Sequence, residues 1–136
     1  MLYATPAQLI ASTQEYLVAQ LTGTDTPDEA ALERALDDAS AEMDGYLGSR
    51  YALPLPAVPD VLRRLCIDIA MYRLMSLRAL GDLEDARQRY EDAIRFLKDL
   101  IRGDVSLGLP EASAGEVSVS GIAYQAGSSV MKGLDY

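Results

Sequence analysis

Three prolines, Pro54, Pro56 and Pro59, fall between two long stretches of helical hydrophobic spacing, and no helix can run through them. A proline lacks the amide proton that an inner turn needs, and its ring pushes the preceding residue to extended geometry. The stretch 53–58 is therefore a corner. Tyr51, Leu53 and Leu55 alternate through it, so in extended form they point to one side. A stiff apolar corner fixes the angle between the helices it joins and has little chain entropy to lose on folding.

The helix before the corner starts at Thr26-Pro27-Asp28-Glu29, where hydroxyl, proline and acids all favour a start. Leu32, Leu36, Ala39, Met43, Tyr46 and Leu47 recur at spacings of three and four and give one apolar stripe. Glu33, Asp37, Glu42 and Asp44 lie on the opposite side. The helix after the corner runs from 59 to about 79. Its apolar residues, from Val61 to Leu77, nearly encircle the axis, which marks a central helix or one covered partly by a partner. Arg63, Arg64, Asp68, Arg73 and Arg78 interrupt them and are expected to pair, or to reach the rim with their stems buried.

Leu80-Gly81-Asp82 is a short turn, so a helix over 83–102 should return antiparallel. Leu83, Ala86, Tyr90, Ala93, Leu97 and Leu100 form its stripe. Asp85 with Arg89 and Glu91 with Arg95 are four-apart pairs worth about 0.3 kcal/mol each. Arg102 and Gly103 supply a basic last turn and a stop. Upstream, Thr5-Pro6-Ala7-Gln8 and Ser12-Thr13-Gln14-Glu15 both read as capping boxes that open short helices. Thr22-Gly23-Thr24-Asp25 closes that unit.

The expected fold is all-α: a small bundle of about five helices with two long antiparallel C-terminal helices, occupying residues 1–109. Residues 110–136 change character, being small, polar and rich in Gly and Ser. The alternation of Val117, Val119, Ile122 and Tyr124 predicts an extended arm or a weak β-hairpin. Such an arm is expected to order against a partner. Those four residues, together with Val130, Met131, Leu134 and Tyr136, are the expected contacts.

Chemistry is excluded more than it is suggested. Histidine is absent and Cys66 is the single cysteine, which removes most zinc, haem and iron–sulfur sites and any Ser-His-Asp or Cys-His unit. Cys66, among Leu62, Leu65 and Ile69, reads as a small buried hydrophobe. No glycine cluster has phosphate-loop form, and no serine has a base to activate it. The run Asp37, Asp38, Glu42 and Asp44 is the best candidate for a metal or acid–base cluster. Without histidine or calcium-loop spacing it reads as a solvated helix face. No catalytic, cofactor-binding or metal-ligating residue is expected, and the chain is not expected to be an enzyme. With no signal-peptide pattern and no membrane-length apolar run, it is expected to be soluble and made in a reducing compartment.

Charge is unevenly spread over the 136 residues. The net charge is −9, with −8 in residues 1–49, +2 in 50–102 and −3 in 103–136. Such a chain will not adsorb to nucleic acid by releasing counterions. An acidic end and a mildly basic middle can instead meet between copies, and head-to-tail contacts of that kind close into rings.

Tyr3-Ala4-Thr5-Pro6-Ala7, the run ALDDAS over 35–40, and Tyr46-Leu47-Gly48-Ser49-Arg50-Tyr51-Ala52-Leu53-Pro54-Leu55 together resemble the Mu-type head–tail connector, or adaptor, family of tailed bacteriophages. Cys66-Ile67-Asp68-Ile69-Ala70-Met71-Tyr72 and the helix from Tyr90 to Gly103 continue the resemblance, which covers roughly Tyr3 to Leu109. It implies a ring, often twelve-fold in such connectors, seated beneath the phage portal protein and meeting a tail-side stopper or tail terminator. Packaged DNA would pass the channel without specific binding. It also implies a place in the virion, and in the host cytoplasm during assembly, with no membrane partner. In this reading Arg50 and Tyr51 are corner residues that serve interaction, and Asp37, Glu42 and Asp44 line the channel, where negative charge keeps DNA contacts weak. The alternative is a non-enzymatic cellular helical module for protein interaction or regulation. A small enzyme acting through a carboxylate-bound metal is the remaining rival.

Overall fold

The computed structural model describes residues 1–23, 25–78 and 82–110. The chain divides into two units: Met1–Ser49 with Leu53–Leu107, and Arg50–Ala52 with Gly108–Tyr136. The first unit holds five helices, α1 (Pro6–Ser12), α2 (Glu15–Thr22), α3 (Glu29–Leu47), α4 (Asp60–Arg78) and α5 (Leu83–Arg102). No strand occurs among the described residues, and the all-α expectation holds. The proposed arm or hairpin, with Val117, Val119, Ile122, Tyr124, Val130, Met131, Leu134 and Tyr136, lies outside the described residues.

Helix α1 starts as its sequence dictates. Thr5 accepts from the Gln8 amide and the Gln8 side chain accepts from the Thr5 amide, a complete capping box ahead of Pro6. The second expected box does not form. Ser12 is the last residue of α1 and turns its hydroxyl back to the Leu9 carbonyl, so α2 begins after Gln14 without a side-chain cap. The hydroxyl is taken by the helix that ends there rather than by the one that begins.

The α3 cap is also displaced from the hydroxyl to the acid. Asp28, not Thr26, accepts from the amides of Ala30 and Ala31, because a carboxylate at a helix N-terminus gains from the dipole as well as from the hydrogen bonds. Helix α5 is capped by Asp82 and stopped by Gly103 at φ 87°, a conformation that side-chain-bearing residues rarely adopt.

Helix α4 is central. It packs against both α3 and α5, with α2 along a further part of its surface. That cover accounts for its encircling hydrophobicity: Leu62, Leu65, Cys66, Ile67, Ile69, Ala70, Leu74 and Met75 are all buried. The α3 stripe, Leu32, Leu36, Ala39, Met43 and Leu47, closes against it. On α5 the stripe is buried at Ala86, Ala93, Leu97 and Leu100, while Leu83 at its start is 38% exposed. Tyr72 of α4 stacks on Tyr90 of α5 with centroids 4.8 Å apart, as an antiparallel pair joined at 79–82 requires.

Between α3 and α4, Leu53 is half-buried and Leu55 buried, whereas Pro54 and Pro56 face water. The alternation read from the sequence is thus visible as burial. The Leu53–Pro54 peptide is cis, and the Leu55 amide donates to the Met1 sulfur at 3.1 Å. In the second unit, Arg50 lies with its guanidinium carbon 5.4 Å from the centre of the Tyr51 ring, and Tyr51 is fully buried.

Candidate functional site

Two places in the helical unit gather charged side chains in unlike ways. The first is a seam along the C-terminal half of α3. Glu42 accepts from Arg73 of α4 at 3.2 Å and from the Tyr90 hydroxyl of α5 at 2.7 Å, so one carboxylate ties three helices. Two residues on, Asp44 accepts from the Met1 ammonium at 3.0 Å and from the Tyr3 hydroxyl at 2.5 Å. Beneath it, the buried Ser40 accepts from the Tyr3 amide at 3.2 Å and touches the Cys66 sulfur at 3.5 Å.

Protonation follows from this geometry. The hydrogen bond to Glu42, then burial, pushes the Tyr90 phenol up to about 12. Burial, with the Asp44 carboxylate second, raises that of Tyr3 further. Burial likewise raises the Cys66 thiol, which keeps it in its neutral, unreactive form at neutral pH.

The second place is a groove of about 410 Å³ between the α1–α2 junction and the outer sides of α4 and α5. Leu17, Ile67, Met71, Met75 and Ala86 supply its apolar walls, and Thr13 stands at its edge. Its charged side chains are unequally matched. Arg89 pairs with Asp85 at 2.8 Å, and Asp82 is held as the α5 cap. Asp68 is half-buried and has neither a hydrogen bond nor an ion pair to a described residue, and its neighbour Arg64 is exposed and unpaired in the same sense. Burial pushes the Asp68 carboxyl above its ordinary value, against the lowering by Arg89 and Arg64.

The acids singled out from sequence are therefore separated by the fold. Asp37 is exposed on α3, as a solvated face requires. Glu42 and Asp44 are not solvated in that way: both are half-buried and committed to partners. Asp37 and Asp44 share one stripe of α3, seven residues apart, but residues 1–3 cover only its C-terminal end. Among the described residues no three His, Cys, Asp or Glu side chains are grouped as a metal ion needs. No helix among them is long and apolar enough to cross a membrane.

Sequence reasoning marked the charges on α4 without sorting them. Arg63 pairs with Asp60 at 2.8 Å on its own helix, Arg73 reaches Glu42, and Arg64 and Asp68 pair with nothing described. Asp85 and Arg89 form the ion pair expected of their spacing. The expected Glu91–Arg95 pair does not form: Arg87 takes Glu91, and Arg95 turns to Asp92 at 2.7 Å. Arg87 also meets Glu84, and Arg102 meets Asp99 and Asp104. The arginines of α5 are thus paired with acids of the same helix. Exposed apolar groups cluster by sequence at the α4–α5 junction, where Leu77 is 83% exposed, and Tyr16 of α2 is 68% exposed.

Comparison with known proteins gives this helical unit its relatives. A Mu-like prophage protein, FluMu protein gp36 of Haemophilus influenzae, is 44% identical over 113 residues, covering 83% of this chain and 78% of its own. Gene product J of Escherichia phage Mu is 35% identical over 118 residues, covering 84% of this chain and 82% of its own. The family model described as Bacteriophage Mu, Gp36 matches residues 3–122, from the first residues of the α3 seam through all five helices, and the chain belongs to that family of Mu-type phage proteins.

Proposed function

We propose that this chain is a structural, non-enzymatic component of a Mu-type phage: a head–tail connector whose copies form a ring under the portal protein. The ring would join the DNA-filled head to a tail-side stopper or tail terminator, and DNA would pass through it without specific binding. The observation that carries this reading is the family membership over 3–122, which spans the whole helical unit. The seam agrees with it, because its carboxylates hold helices together rather than standing ready for a reaction.

Within this reading the role of the channel-facing acids divides. Asp37, with the exposed Glu33 and Asp38 beside it, presents charge to whatever α3 faces. Glu42 and Asp44 contribute to the same field only as members of ion pairs. Negative charge along a channel repels phosphate and lets DNA slide. Arg50 and the apolar residues of 117–136 are the proposed contacts with the portal or a neighbouring copy, whereas Tyr51, expected beside Arg50 as a contact, is fully buried and holds the corner from within. The proposed setting is the virion, with assembly in the host cytoplasm.

Native mass spectrometry with and without a Mu-type portal protein tests the proposal. Ring-sized assemblies, alone or on the portal, are the expected result. A discrete dimer that ignores the portal overturns it and favours a cellular interaction module.

A further inference from the structure

The groove between α1–α2, α4 and α5 presents a problem that the helical unit does not solve by itself. A carboxylate half-removed from water is disfavoured unless a cation or hydrogen-bond donor meets it. Asp68 makes no hydrogen bond or ion pair with a described residue: Arg89, already paired with Asp85, and the exposed Arg64 favour its charge only at longer range, which does not offset its burial. Around Asp68 and Arg64 lie the side chains of Leu17, Ile67, Met71 and Met75, an apolar lining with two flexible thioethers that adapts to an inserted side chain. The volume of about 410 Å³ falls in the range that takes small ligands or a few residues of peptide.

The occupant such a lining selects is an apolar segment with one cation and one anion. Residues 103–136 contain a single base, Lys132, in the run VMKGLDY. Val130, Met131 and Leu134 flank it, and Asp135 follows three residues after. Lys132 answers the unpaired Asp68, Asp135 answers the unpaired Arg64, and the aliphatic residues answer the walls. We propose that the groove of one copy receives residues 130–136 of a neighbouring copy, with Lys132 paired to Asp68. This rests on the ring reading, because donor segment and acceptor groove are different surfaces, and contacts of that heterologous kind close a ring when repeated.

Photo-crosslinking of the full-length chain tests this. Benzoylphenylalanine replaces Met131 in unlabelled protein, which is mixed with ¹⁵N-labelled wild-type chain, irradiated, and mapped by peptide mass spectrometry. Attachment to the labelled chain within 64–75 or 13–17 is the expected result. Asp68→Asn should lower that yield about fivefold, as should Lys132→Glu, the loss expected of one partly desolvated ion pair. The exchange Asp68→Lys with Lys132→Asp should restore it. Attachment only within the unlabelled chain would place the segment in its own groove and overturn the proposal. So would attachment elsewhere, none above that of a probe at Glu33, or a yield that ignores the charge changes. Native mass of the same samples keeps the two readings apart: rings without groove crosslinks sink the docking alone, and groove crosslinks without rings sink the ring alone.

Discussion

The α3 seam and the α4–α5 groove use the same residue types to opposite effect. In the seam, Glu42 and Asp44 leave water and each gains two donors from other elements. In the groove, Asp68 is equally half-buried and gains none among the described residues. Burial of a carboxylate stabilises a fold only when its hydrogen bonds are replaced, and otherwise costs stability. The seam therefore reads as architecture. The groove reads as a surface waiting for something from outside the helical unit.

The largest expected effect tests the scaffold that the two regions share. Ile69→Ala, in the fully buried middle of α4, should lower stability by about 2–5 kcal/mol. A urea midpoint that falls with an unchanged slope would register this. A loss below ~1 kcal/mol would mean that α4 is not the central helix.

Next comes the seam itself. Glu42→Ala leaves Arg73 and the Tyr90 hydroxyl without their acceptor and should cost about 1–3 kcal/mol. The Nε of Arg73 is already buried without a partner among the described residues, which leaves little room to compensate. Tyr90 gives the seam a pH signature. Its phenol is raised in the folded state to about 12, so the folded chain holds that proton while the unfolded chain, near 10, releases it. Its contribution is fully present below about pH 10 and is lost as pH rises towards 12. Tyr90→Phe should flatten the alkaline limb of a stability–pH curve, and an unchanged limb would assign the slope to Tyr3 instead.

In the groove the sign reverses. The Asp68 carboxyl is raised, so its contribution is present below the unfolded value, near 4, and is lost as pH rises through the folded one. Asp68→Asn should therefore leave the isolated chain as stable or more stable at neutral pH. The gain should stay below ~1 kcal/mol, since water still reaches the group. Thermal melts at pH 4 and pH 7 would show the gain only at the higher pH. A clear destabilisation at pH 7 would erase the contrast between the two regions.

The smallest effect belongs to the exposed side of α5. Arg95→Ala removes a three-apart pair with Asp92 that water already screens, and should change stability by less than ~0.5 kcal/mol. A larger loss would place Arg95 in an interaction that extends beyond its own helix.

Much of the architecture was legible because it rests on local rules. The Thr5–Gln8 box, the Gly103 stop, the proline corner and the stripes of α3, α4 and α5 each depend on a few neighbouring residues. Caps were less secure where two acceptors competed, as at Ser12 and at Thr26 against Asp28. The site was mostly hidden. That α4 carried Arg64, Asp68 and Arg73 was plain, but nothing in their spacing said which would find partners.

Capping patterns, periodicity and proline placement determined about five helices and their order, and narrowed α4 to a central helix or one covered by a partner, since a hydrophobic stripe dictates which side of a helix must leave water. The three-dimensional packing alone decided that α4 is the central helix, that Arg73 meets Glu42 across 31 positions of sequence, that residues 1–3 cover Asp44, and that Asp68 is left without a hydrogen bond among the described residues. Electrostatic partners of this kind lie far apart along the chain, and only the meeting of helices sets their distances, whereas the stripe that brings the helices together is written within a few turns.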